Sequence, residues 1–157
     1  MHVVLVEPEI PPNTGNVARL CAATHTVLHL IEPFGFQLDD AQLRRAGMDY
    51  WQQVKWRRWP SWRDFEAACL GNAAARCWLI ESGGPQRYTE VQYQKDDYLV
   101  FGRETAGLPP ALLAAYRDRW LRIPMFNPAS RSLNLSNCAA LVLFEALRQQ
   151  GFPGELA

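Results

Sequence analysis

The chain has 157 residues, enough for one domain of ordinary size and too few for two independent cores. At 48% apolar and 20% charged it is globular rather than disordered, and no apolar run approaches the roughly 18 residues of a membrane span. The formal net charge is zero, which excludes a whole-molecule field that would gather nucleic acid and leaves only local patches to do so.

The start "MHVVLVEPEIPP" has no basic leader and only a short apolar run, so a cytoplasmic chain folded as one domain over 1–157 is the expectation. "HVVLVE" (2–7) reads as the first strand. A helix follows over about 14–24, with Asn13 as a candidate cap and Val17, Leu20, Cys21 and Thr24 as its buried stripe. Asn16 and Arg19 project away from that stripe. They read either as a solvated face or, beside the positive end of a helix opening beyond a strand, as an anion site.

"TVLHLIE" (26–32) is the second strand, and a helix is expected over 39–46. "QQVKWRR" (52–58) is a weaker strand candidate inside the basic-aromatic stretch "KWRRWPSWR". There Lys55, Arg57, Arg58 and Arg63 alternate with Trp56, Trp59 and Trp62. Such a mixture suits phosphate contact with base stacking, and equally an edge strand whose charges face water while its tryptophans pack. A helix over 61–70 comes next. Strands at "RCWLIES" (76–82), "DYLVFG" (97–102) and "WLRIPM" (120–125) and helices over 110–115 and 134–149 complete the pattern.

Alternating strands and helices predict an α/β fold, a mostly parallel sheet sandwiched by helices, with ligands bound beyond the carboxyl ends of the strands. The loops there are "EPEIPPNTGN", "ESGGPQR", "GRETAGLPP" and "PMFNPASRSLNLSN". In the third, Gly102 and Gly107 bracket Glu104 and would let backbone approach a flat ligand closely. Neither GxGxxG nor a P-loop is present, and HExxH and GxSxG are missing too. His2, His25 and His29 lack metal spacing, and Cys21, Cys69, Cys77 and Cys138 form no CxxC, so structural thiols and no metal are expected.

Together, "EPEIPPNTGNVARLC", "FGRETAGLP" and "IPM" followed by "SRSLNLSN" resemble the three motifs of the SPOUT superfamily of RNA methyltransferases, over essentially the whole chain. The likeness is closest to the minimal TrmL (YibK) type, supported by "IEPFGF" (31–36) and "LRRAGMDY" (43–50). This resemblance implies a C-terminal trefoil knot, a homodimer with a shared active site, and S-adenosylmethionine as methyl donor without a metal. The reaction implied is 2'-O-methylation of the wobble nucleotide, cytidine or modified uridine 34, of leucine tRNAs. Another tRNA site, ribosomal RNA, or a knotted RNA-binding protein without catalysis are the alternatives.

By motif position, Ile80, Gly102, Ile123 and Ser132 are implied to bind the cofactor, and Arg19, Asn16 and Asn134 to serve catalysis. Arg19 is expected to hold phosphate and ribose rather than act as a base, because guanidinium stays protonated. Asn134 is directed toward the ribose, leaving Ser136 or Asn137 to satisfy the first amides of the last helix. "ESGGPQR" departs from many relatives, and its Glu81 is expected to alter cofactor or phosphate contacts. The last helix carries two apolar stripes, one through Leu135, Val142 and Ala146 and another through Ala140, Leu143 or Phe144 and Leu147. A second stripe needs a second cover, from a partner subunit or from within the chain.

Overall fold

The computed structural model describes residues 1–36 and 51–156. The expected helix over 39–46 and the stretch 43–50 therefore lie outside the described residues. Strands β1 (His2–Val6), β2 (Val27–Ile31), β3 (Trp56–Trp59), β4 (Cys77–Ile80), β5 (Gln86–Arg87), β6 (Tyr98–Phe101) and β7 (Trp120–Arg122) form one sheet of seven, ordered β3-β2-β1-β6-β4-β7-β5. Every pairing is parallel.

Side chains along a strand alternate between the two faces, and both faces are buried here. Val3 and Leu5 of β1, Leu28 and Leu30 of β2, and Leu99 and Phe101 of β6 enter one core. Helices α1 (Pro11–Ala23) and α4 (Leu135–Gln149) cover it through Val17, Ala18 and Cys21, and through Leu135, Ala139, Val142, Leu143 and Ala146. Val4, Val6, Ile31, Leu79 and Val100 point to the other face, where they meet Phe65 of α2 (Trp62–Phe65) and Leu112 of α3 (Pro110–Ala115). Each such aliphatic side chain contributes about 1.5–3 kcal/mol by leaving water. The mostly parallel α/β sandwich expected from the sequence is the fold observed.

Local differences have local causes. α1 begins at Pro11 rather than near residue 14, because Pro11 and Pro12 occupy first-turn positions where no amide donor is needed. Its cap residue is Ile10, so Asn13 lies inside the helix and is not the cap. β3 starts four residues later than expected. β7 ends at Arg122, short of Pro124, which has no amide to offer a ladder. β5 was not anticipated, since two exposed polar residues carry no periodic signal. α2 continues as a wider helical turn over Glu66–Leu70. All four cysteines are free thiols, and burial pushes those of Cys21 and Cys77 up to about 12.

One connection constrains everything after it. β7 lies between β4 and β5, although only residues 81–85 link those two strands. That short link crosses the end of β7. Glu81 N donates to Leu121 O at 2.9 Å, and a Cβ on Gly84 would lie 2.6 Å from the Leu121 carbonyl carbon. Only glycine fits so close an approach.

The basic-aromatic stretch behaves as an edge strand. Trp56 packs on Trp51 at 4.6 Å, Trp59 lies beside His29 and Phe65, and Trp62 meets Phe65 and Tyr116. Arg58 pairs with Glu32 and lies over the Phe34 ring at 5.4 Å. The indoles are thus half-buried against rings of the chain, as an edge strand with packed tryptophans requires.

Candidate active site

A cleft of about 700 Å³ opens beyond the carboxyl ends of β4, β6 and β7, on the face covered by α1 and α4. That volume is ordinary for a cofactor-sized molecule. Ile80, Gly102, Ile123 and Ser132 all line it, as does Asn134, so one cavity gathers the four residues expected at the cofactor and one of the three expected in catalysis. Asn16 and Arg19 are not among its lining residues; both are exposed on the outer surface of α1.

The walls are built from backbone as much as from side chains. Gly102, at the end of β6, lies so close to the returning strand of its loop that a Cβ there would be 2.2 Å from the Gly107 carbonyl carbon. Arg103 and Gly107 close that loop by exchanging backbone hydrogen bonds at 3.1 and 3.0 Å. Ile80, Ile123 and Leu135 add apolar surface. Glu81, expected to alter ligand contacts, also lines the cleft, and its carboxylate accepts from Leu108 N at 3.1 Å and from Ser82 N at 3.0 Å.

Carboxylates tie the loops together. Glu104 reaches the start of α1, which has no side-chain cap of its own, and accepts from Glu9 N at 2.8 Å and Ile10 N at 3.1 Å. Charge there also suits the positive end of the helix. Glu9 answers in the opposite direction, accepting from the Thr105 hydroxyl and amide, which hold its carboxyl below the usual carboxylate range. Glu7 pairs with Arg103 along the same seam.

Asn13 extends this brace to the third loop. Its Nδ2 donates to Glu104 Oε1 at 3.1 Å, and its Oδ1 accepts from Asn134 Nδ2 at 2.9 Å. Asn134 Oδ1 then accepts from both the amide and the hydroxyl of Ser136, at 2.9 and 2.6 Å. A carboxylate only accepts and a backbone amide only donates, so the two ends of the relay fix both amide orientations. Asn134 is therefore the cap of α4, the task expected of Ser136 or Asn137. Its oxygen has both lone-pair sites filled, while one Nδ2 proton remains to offer. Asn13 and Glu104 were missed as braces because their partners lie 91 to 121 residues away in sequence.

Comparison with known proteins agrees with this architecture. The model of the SpoU rRNA methylase family matches residues 1–144. The chain belongs to the SpoU methylase family. Among its relatives, a tRNA (cytidine(34)-2'-O)-methyltransferase of Burkholderia pseudomallei (strain 1106a) is 51% identical over 154 residues, covering 98% of this chain and 97% of that protein. A structure described as giving insight into the 2'-OH methylation of C/U34 on tRNA superposes with a TM-score of 0.88 at 43% identity, covering 96% and 95% of the two chains. The methyltransferase AviRb from Streptomyces viridochromogenes, in complex with AdoMet, superposes at 0.80 with 26% identity, over 96% of this chain and 60% of that one. The SPOUT resemblance read from the three motifs is thereby confirmed, and AviRb, which shares the fold, binds AdoMet, S-adenosylmethionine. Among the described residues no cluster of metal-ligating side chains occurs.

Proposed function

We propose that this SpoU methylase transfers a methyl group from S-adenosylmethionine to the ribose 2'-hydroxyl of nucleotide 34, cytidine or modified uridine, of leucine tRNAs. The observation that carries the reading is the convergence of Ile80, Gly102, Ile123, Ser132 and Asn134, from three distant loops, on one cleft in a chain whose relatives are named for 2'-O-methylation of tRNA cytidine 34. The cleft fits the cofactor: apolar Ile80 and Ile123 suit an adenosine, and the Gly102 backbone leaves no side chain in the way. When bound, S-adenosylmethionine supplies an electrophilic methyl on a sulfonium, so catalysis depends on alignment and exclusion of water more than on charge stabilisation.

Within that scheme Asn134 donates its remaining Nδ2 proton to the ribose, and its filled oxygen takes no proton from the hydroxyl. Arg19 grips phosphate and ribose as a permanent cation, with Asn16 beside it on the same helical surface. These two residues do not line their own chain's cleft, an arrangement that supports a homodimer in which α1 of one subunit serves the cleft of the other. The exposed Leu141 and Phe144 of α4, at 41% and 49%, support the same assembly. β7 inserted beneath the 81–85 link supports the implied trefoil knot.

Incubating purified protein with S-adenosylmethionine and unmodified tRNA, followed by nucleoside mass spectrometry, tests the reading. Methylation at position 34 of leucine isoacceptors is expected. Methylation confined to another tRNA position or to ribosomal RNA would reassign the substrate, and RNA binding without cofactor binding would mark a non-catalytic protein.

A further inference from the structure

Beside the cleft stands an aromatic ring that no described residue covers. Phe126 is 95% exposed, against 49% for Phe144 and 39% for Phe152. Leaving a phenyl ring in water forgoes a burial gain that a stacked ligand would recover. In sequence Phe126 follows Met125 and precedes the segment 131–135, all of which line the cleft, yet Phe126 itself does not. Its ring is thus open to solvent on a loop that borders the cavity.

The backbone that carries the ring is restrained. Pro124 and Pro128 restrict the backbone on either side. Directly after Phe126, Asn127 closes a turn, its Oδ1 accepting from Ala129 N at 3.0 Å and its carbonyl from Ser130 N at 3.1 Å. Arg131, exposed and lining the cleft, adds a cation at the same rim. An aromatic face and a guanidinium beside the reacting centre are the two groups that hold an unstacked nucleotide. The tryptophans of the basic stretch are all engaged in packing, so among the described residues Phe126 is the aromatic most open to this task.

We infer that Phe126 stacks on a base of the substrate RNA, the methylated nucleotide or its immediate neighbour, and so positions the ribose over the cleft. This rests on the methyltransfer reading given above. Phe126 is a positioning residue that acts on the nucleobase, not on the cofactor. It makes the loop after β7 a two-sided element, with Ile123 and Ser132 facing the cofactor and Phe126 facing RNA.

The test uses the full chain with Phe126→Ala, Phe126→Trp and Phe126→Leu, measuring methyl-transfer kinetics, tRNA binding by fluorescence anisotropy, cofactor affinity by calorimetry and sedimentation. Phe126→Ala is expected to raise the tRNA KM and Kd by roughly 5- to 100-fold. Cofactor affinity and sedimentation should not move, Phe126→Trp should restore binding, and Phe126→Leu should not. An unchanged KM and Kd would overturn the inference. So would rescue by leucine, which means a merely apolar contact; a lost cofactor affinity, which places the ring on adenosine; or altered sedimentation, which places it between subunits. A wild-type chain that binds RNA through Phe126 without methylating it sinks the methyltransfer reading and leaves this one standing. Methylation by Phe126→Ala with unchanged tRNA KM and Kd does the reverse. A wild-type chain that neither binds nor methylates RNA overturns both.

Discussion

The two faces of the sheet are equally buried but differently furnished. On the α1 and α4 face the core mixes aliphatic side chains with Trp78, Tyr93 and Phe101, the buried Asp97 accepts from Trp78 and Arg76, and a second polar group, the Glu104–Asn13–Asn134 relay, stands at the cleft. On the α2 and α3 face, polar groups lie inside the core itself. His29, 1% exposed, accepts from Trp59 Nε1 through Nδ1 at 3.0 Å and meets His2 Nδ1 through Nε2 at 3.0 Å, enclosed by Phe65 and Tyr98. Because indole only donates, His29 carries its proton on Nε2 and gives it to His2. Neither ring has room for a second proton. The contrast is that one face carries a polar relay where a ligand arrives, and the other confines its imidazoles where none can. Substitutions in the relay should touch activity, stability or both, and those at the buried imidazoles stability alone.

The sharpest break is expected at Arg19. If α1's outer surface grips the substrate, Arg19→Ala should lower methyl transfer by about 100-fold or more. Arg19→Lys should fail to restore it, since an ammonium does not reproduce the planar fork. Near-normal turnover by the lysine variant would remove the bidentate role.

On the opposite face the expected effect is on stability against pH. Burial first, then the neighbouring charge of His2, lowers His29 to about 3, and burial lowers His2 to about 4. Both rings are neutral when folded and bind protons more readily when unfolded. Their contribution is therefore complete above the unfolded value near 6.5 and is lost as pH falls from there toward 4 and 3. The loss from His29 alone is on the order of 3 kcal/mol at pH 4. Denaturant titrations should show that slope, and His29→Gln should flatten it without altering kcat near neutrality. A smaller effect is expected at Glu104, which joins the cleft loops to α1. Glu104→Gln loses charge-assisted bonds to two backbone amides and should cost about 2 kcal/mol, measured by chemical denaturation.

This division was only half legible in the sequence. Apolar runs marked β1, β2, β4 and β6, and clusters of Gly, Pro, Ser and Asn marked the loops that form the cleft. Periodicity does not distinguish a face that bears a site from one that does not, since both read as buried. Asn13 was legible as a helix-start residue, but two prolines ahead of it move the true cap back to Ile10 and leave its amide to bridge loops. The tryptophans between Lys55 and Arg63 had the right composition for stacking, and only their ring partners show that packing claims them. Ile80, Ile123 and Ser132 carry no chemical signature of their own. They were reachable through the motif resemblance alone.

Asn134 is where the comparison is tightest, because one side chain serves both stability and the site. As the α4 cap it should be worth about 1 kcal/mol, and its link to Asn13 about as much again. Asn134→Ala removes both, and Asn134→Ser keeps a capping oxygen while removing the donor. If capping were its whole task, the serine variant would recover turnover together with stability. If the spare Nδ2 proton holds the ribose, serine recovers about half of the stability that alanine loses, the capping share, and leaves kcat low, with cofactor affinity unchanged in both variants. Measuring midpoint, kcat and cofactor Kd on the same three proteins separates the two roles, and recovery of kcat by serine would return Asn134 to the class of ordinary helix caps.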